Sequence, residues 1–130
     1  MSHKTLLIVA LAIAFLMTTG CSSSQAKLTS ADNGKLVKVK VGDPIVIELD
    51  GNPSTGYTWE AENLDTSMIQ QVGEPEFKSS NPGLIGSGGS LTLNFKTLKA
   101  GSTMLTLLYQ RPWETNVKPQ ATFTVSLESK

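Results

Sequence analysis

Four glutamates stand in two pairs, Glu60 with Glu62 and Glu74 with Glu76, at the two-residue spacing that puts side chains on one face of a strand. Two carboxylates on one face are the minimum equipment for acid and base work on a glycosidic type of bond. Little else in the chain could assist them. The only histidine is His3 and the only cysteine is Cys21, so a chain that loses its first twenty residues keeps no imidazole. This removes Ser-His-Asp and Cys-His catalysis, zinc sites built on His or Cys, and haem or iron–sulfur ligation in their usual forms. Gly86-Ser87-Gly88-Gly89 precedes a strand-like run rather than a helix and so is not a phosphate-binding loop. The glutamates therefore read as solvent-facing positions, and the expectation is no cofactor, no metal and no enzyme.

Three short segments carry residue types suited to recognition instead: Asn52-Pro53-Ser54-Thr55-Gly56-Tyr57, Gly86-Ser87-Gly88-Gly89 and Arg111-Pro112-Trp113. In the first, Pro53 fixes φ for a turn, Asn52 can bond its side chain back to the backbone, and Gly56 permits a left-handed conformation. A rigid, narrow, nearly uncharged tip loses little entropy on binding. A plain tight turn accounts for Pro53 and Gly56 but is indifferent to Ser54 and Thr55. The second segment follows Leu84 and Ile85, apolar residues in a loop, where burial against a partner is a natural use. Its competing reading is a flexible linker. In the third, a Trp directly after Pro makes an exposed anchor, and Trp and Arg are enriched at interface hot spots. There the competing reading is Trp113 folded back as a lid on the domain.

The elements that must position these segments are strands. Val37, Val39 and Val41 alternate with Lys38 and Lys40; Ile45, Ile47 and Leu49 follow the Gly42-Asp43-Pro44 turn. Tyr57, Trp59 and Ala61 alternate with Thr58, Glu60 and Glu62. Met68 to Phe77 reads as one irregular strand, with Pro75 marking an edge or a bulge. Leu91, Leu93 and Phe95, then Thr103 to Tyr109, then Ala121, Phe123, Val125 and Leu127 complete the set. This period-two patterning gives an all-β fold, an immunoglobulin-like antiparallel β-sandwich of about seven strands over residues 35–130, with Trp59 in the core. Lys35, Lys38 and Lys40 fall on one edge-like strand, where lysines protect against aggregation. Each of the three segments is followed by two strand-like runs before the next. In a sandwich that reverses at every loop, all three then emerge at the same end.

In this order and on this β background, the NPSTGY, GSGG and RPW segments resemble the three inhibitory loops of the chagasin family, proteinaceous inhibitors of papain-like cysteine peptidases. The similarity runs from about Leu36 to Leu127, with Ser54 where the family more often has Thr. The resemblance implies a reversible, competitive, non-covalent inhibitor whose three loops occlude the active-site cleft. By the same resemblance, Asn52 to Tyr57 occupy the cleft over the catalytic cysteine, with Pro53, Ser54 and Thr55 at the tip. Gly86 to Gly89 lie along one side of the cleft, next to Leu84 and Ile85, and Arg111, Pro112 and Trp113 meet the other side, with Trp113 set against an aromatic there.

The N-terminus reads as an export signal. Lys4 makes a short basic region, Leu6 to Met17 an unbroken apolar run and Thr18-Thr19-Gly20 a small-residue cleavage region, giving a signal peptide over 1–20. Cys21 after Gly20, followed by Ser22-Ser23-Ser24, resembles a bacterial lipobox, with Thr18 where Leu is usual. That implies lipidation at Cys21, a membrane anchor and a cell-envelope location, with Ser22 favouring the outer membrane, facing periplasm or cell surface. Ordinary secretion with a free thiol is the competing reading. Residues 21–34 are polar and read as the lipidated N-terminus and a flexible tether. Loss of the first twenty residues leaves ten basic and eleven acidic side chains, a formal charge of −1, which gives no reason to expect nucleic acid as a partner. A monomer is expected. Two rival functions stand beside the inhibitor: a non-inhibitory immunoglobulin-like adhesion or assembly module of the envelope, and a small hydrolase using the paired glutamates.

Overall fold

The computed structural model describes residues 24–130. The expected signal peptide over 1–20 and the expected lipidation at Cys21 lie outside the described residues. Nine strands form the fold: β1 (Ala26–Thr29), β2 (Leu36–Val39), β3 (Pro44–Gly51), β4 (Thr58–Glu62), β5 (Ile69–Gln71), β6 (Glu76–Ser79), β7 (Gly89–Thr97), β8 (Gly101–Gln110) and β9 (Ala121–Ser129). One sheet has the order β1-β3-β7-β5, with β6 also pairing β7; the other has the order β2-β9-β8-β4. Inward residues of the two sheets meet as a single core. Ile45, Ile47, Leu49, Ile69, Leu91, Leu93 and Phe95 come from the first sheet, and Trp59, Leu105, Leu107, Phe123, Val125 and Leu127 from the second. Each such side chain contributes about 1.5–3 kcal/mol on full burial before entropy is charged, and with a single cysteine the chain has no disulfide of its own to add.

All-β character, the sandwich, the core place of Trp59 and the edge place of the lysine-bearing β2 are as expected. Four expectations need correction. Residues 21–34 are not a tether throughout. Ala26–Thr29 add to the first sheet beside Ile45–Glu48, and Leu28, only 6% exposed, enters the core. Two inward residues suffice for a four-residue edge strand, which is why the polar composition concealed it. The sheets are mixed rather than antiparallel, because β1 runs parallel to β3 and β2 parallel to β9. The chain changes sheets between β1 and β2 and again between β2 and β3, so β3 returns in the direction of β1. The irregular Met68 to Phe77 run is two short strands, both antiparallel to β7, broken at Val72–Pro75, where Gly73 has φ +72°. Together with β1, this raises the count from about seven to nine. Val41 is not inward: β2 stops at Val39, and Val41 turns outward at 42% exposure.

Strand directions follow from the pairings. The β1–β2, β3–β4, β6–β7 and β8–β9 connections all lie at one pole. The β2–β3, β4–β5 and β7–β8 connections lie at the other, with Ser24 and Lys130. At that far pole the buried Thr97 hydroxyl donates to Lys40 O (3.2 Å) and accepts from Gly42 N–H (3.3 Å) and the Ser129 hydroxyl (3.1 Å). The β1–β2 turn is held by Asp32, which accepts from Thr29 N–H (2.9 Å) and Lys35 Nζ (3.1 Å). The Thr29 N–H, and after it the Lys35 ammonium, hold the Asp32 carboxyl below its usual range. Its bonds to the turn are therefore complete at neutral pH and lost as pH falls through that lowered value.

Because Leu28 is a core residue, Leu28→Ala is expected to lower unfolding free energy by about 2–4 kcal/mol in urea titration. A domain begun at Lys35 should fall at least as far. Equal stability of that truncation and the longer chain would show that β1 adds nothing.

Candidate functional site

The three segments singled out in the sequence do meet at one pole. Pro53–Thr55 form a single 3-10 turn, entered by Asn52 in extended conformation and left through Gly56 at φ +83°. Asn52 Oδ1 accepts from Ser54 N–H (3.2 Å) and from the Ser54 hydroxyl. Asn52 O accepts from Thr55 N–H (3.1 Å) and the Thr55 hydroxyl (2.6 Å), and Pro53 O from Gly56 N–H (3.0 Å). Ser54 and Thr55 are thus not indifferent to the turn, as a plain tight turn would have them. Both hydroxyls close it from inside, while the residues themselves stand exposed at its tip.

The second loop, Ser80–Gly88, presents Leu84 at 61% exposure and Ile85 fully exposed. It is not a loose linker. Gly88 O accepts from Ser80 N–H (3.0 Å) and from the hydroxyls of Ser80 (2.7 Å) and Ser87 (3.0 Å). Gly86 takes φ +79°. Gly89, read from sequence as part of this loop, belongs to β7, paired on one side with Gly51 and on the other with Ser79. A methyl group there would run into Lys78 O, so glycine is required by close strand approach.

The loops are tied to each other. Asn52 Nδ2 donates to Gly86 O (3.0 Å), joining the first loop to the second. Arg111 Nε donates to Thr55 O (2.9 Å), joining the first to the third. Arg111 Nη1 also bonds Glu114 Oε1 (3.1 Å), and its guanidinium lies 4.6 Å from the Tyr57 ring centroid. Trp113 is 67% exposed, yet its ring lies against Gly56 so closely that a methyl group there would overlap it. Trp113 is therefore a projecting anchor leaning on the first loop and not a lid over the core.

Beneath the loops the sequence reading missed an aromatic column. Trp59, buried and donating through Nε1 to Asp50 O (2.9 Å), stacks on Tyr109 at 5.1 Å. Tyr109 in turn packs on Tyr57 at 5.3 Å, whose ring meets Arg111. Tyr109 also accepts Asn52 N–H on its hydroxyl (2.9 Å). Both tyrosines and both tryptophans of the chain gather at this pole, a concentration that could have pointed to Tyr109. Glu114 was equally unmarked by any motif.

The paired glutamates do not assemble comparably. Glu62, Glu74 and Glu76 are exposed, and Glu60 accepts from Gln110 Nε2 (3.2 Å). Glu60 and Glu74 line an open cleft of about 540 Å³ with Thr58, Trp59, Leu64 and Pro75, and no residue of the three motifs lines it. No group of three or more metal-ligating side chains is assembled among the described residues.

The family model for the chagasin family peptidase inhibitor I42 matches residues 38–127. The chain is similar to amoebiasin-2 of Entamoeba histolytica, 35% identical over 112 residues that cover 82% of this chain and 89% of the relative. It is similar to chagasin of Trypanosoma cruzi, 32% identical over 108 residues covering 79% and 96%. Among solved structures, the cysteine protease inhibitor EhICP2 of Entamoeba histolytica matches with a TM-score of 0.71 at 30% identity, covering 82% of this chain and 96% of that one.

Gly56 answers two demands at once, a left-handed backbone and space for the Trp113 ring. Gly56→Ala is expected to cost about 1–2 kcal/mol in urea titration and to shift the Trp113 indole N–H resonance while leaving that of Trp59. An unmoved Trp113 signal would refute the contact between the loops.

Proposed function

The chain belongs to the chagasin family of peptidase inhibitors, and from that premise we propose that its loop pole occludes the active-site cleft of papain-like cysteine peptidases, reversibly, competitively and without covalent chemistry. One observation carries this reading: the three motif loops stand side by side at one pole, each bonded to its neighbour. Asn52 to Tyr57 enter the cleft with Pro53, Ser54 and Thr55 foremost. Leu84, Ile85 and the Gly86–Gly89 stretch line one wall, and Trp113 seats on the other, carried by Arg111 and Pro112.

A peptidase binds its substrate extended, and the first loop is not extended. Its carbonyls at Asn52 and Pro53 are already engaged by Thr55 and Gly56 within the 3-10 turn. A loop so closed fills the cleft without offering the catalytic thiolate a substrate-like peptide bond. It also enters with little conformational freedom left to lose. A contact made by three loops suits the standard interface, which buries about 1,600 Å² in total. The activity is inhibition rather than turnover, and it asks for no cofactor.

The export reading fits beside this one. We propose that Cys21 is lipidated and holds the domain on the cell envelope. In support, Ser24 enters the fold at the pole opposite the loops, its hydroxyl bonded to Asp43 Oδ2 (3.2 Å). Attachment three residues earlier leaves the loops unobstructed.

Titration of papain of known active-site concentration with residues 21–130 carrying Cys21→Ser is expected to give a stoichiometric loss of activity that competing substrate reverses. Thr55→Ala with Trp113→Ala should weaken inhibition by about two orders of magnitude or more without loss of fold; undiminished inhibition would sink the loop assignment. Thr55→Ser and Thr55→Val separate the hydroxyl that closes the turn from the methyl that faces outward. For the anchor, the full-length chain expressed in a bacterium should partition into detergent, and Cys21→Ser should move it to the aqueous phase. Equal partition of both would remove the lipid.

A further inference from the structure

We infer that Tyr109 is a positioning residue for inhibition, fixing the entry of the first loop through its hydroxyl although it belongs to none of the three motifs. The effect on a peptidase rests on the function proposed above; the effect on the loop does not.

The first loop is held at three points. Its side is held by Asn52 Nδ2 on Gly86 O, and its exit by Arg111 Nε on Thr55 O. Both of those partners lie in the neighbouring loops. Only the entry is bonded to a sheet side chain: Asn52 N–H on the Tyr109 hydroxyl at 2.9 Å. Tyr109 sits on β8, opposite Trp59 of β4 on one side and Ala121 of β9 on the other. Its ring is fixed between Trp59 and Tyr57, and Trp59 is itself fixed by burial and by its bond to Asp50 O. Asp50 precedes the loop by two residues, so the same column grips the chain just ahead of the loop as well. The hydroxyl is thus a fixed point referred to the core, beside two restraints that come from neighbouring loops.

Rigidity of this kind acts on binding by reducing the freedom lost on association. Losing the fixed point should therefore appear as a looser free loop and a less favourable binding entropy, with fold and contact residues unchanged. Tyr109→Phe keeps the stack and removes only the acceptor. In the free protein, exchange of the Asn52 amide hydrogen should rise about 3- to 10-fold, the factor one net hydrogen bond supplies. The rise at Asn52 should come through local opening, independent of low urea, whereas the β7 amides and the urea midpoint should change by no more than that one bond accounts for. Against papain, the inhibition constant should rise by a similar factor, with slower association and the loss in the calorimetric entropy. Tyr109→Leu, which also removes the stack, should give a larger rise in both.

Unchanged Asn52 exchange in Tyr109→Phe would overturn the inference. So would faster exchange with full inhibition retained, or an Asn52 rise seen only through global unfolding, with the urea dependence of the β7 amides, which is ordinary destabilisation. Should the unmodified domain fail to inhibit papain, the proposed function falls, while Asn52 exchange still decides whether Tyr109 fixes the loop.

Discussion

Asn52 uses every hydrogen-bonding group it has, and the arrangement of the loop pole depends on that. Its N–H reaches Tyr109, its carbonyl takes Thr55 twice, its side-chain oxygen takes Ser54 twice, and its side-chain amide reaches Gly86. Its side-chain amide carries donor and acceptor on separate atoms, so one can close the turn while the other reaches the second loop. Aspartate would keep the turn and lose the bridge to the second loop; serine is too short to make both. The asparagine therefore joins a local problem, closing a four-residue turn, to a global one, the spacing of two loops that are far apart in sequence.

The sandwich supplies what that join requires. Strand reversal delivers three loops to one pole, and the register of β3 with β7 brings Gly51 beside Gly89, so the bases of the first two loops are adjacent strands. The register of β4 with β8 does the same for the first and third, setting Thr58 opposite Gln110. Two sheets closed over an aliphatic core make these bases rigid without any cross-link. The aromatic column then carries that rigidity past the last strand residues into the loops, through stacked rings and a guanidinium rather than through backbone pairing.

Much of this was legible in the sequence because strands with one buried face print their period on the chain. Ile45, Ile47 and Leu49, or Phe123, Val125 and Leu127, leave little choice, and the parity of loops along such a pattern places them at one pole. What was not legible was whatever lacked a period. Strand β1 shows only Ala26 and Leu28 amid polar residues, too brief a signal to separate from a tether. Parallel neighbours were invisible because alternation reports which face is buried and not which strand lies alongside. The inward-turned hydroxyls of Ser54 and Thr55 are local choices among several a turn allows, and the bond of Asn52 N–H to Tyr109 across 57 positions is a tertiary fact. A residue type permits them without announcing them.

Both ends of the described chain, Ser24 and Lys130, lie at the pole away from the loops. The long strands between the poles, nine residues in β7, span roughly 30 Å. The domain is in this sense a post, with both ends of the described chain at the foot and the three loops at the head. Were it held at Ser24 on any surface, it would display the loops at a stand-off of at least the strand length. Partners in the surrounding fluid would then meet the head first, while a cleft lying flat against the same surface would stay out of reach.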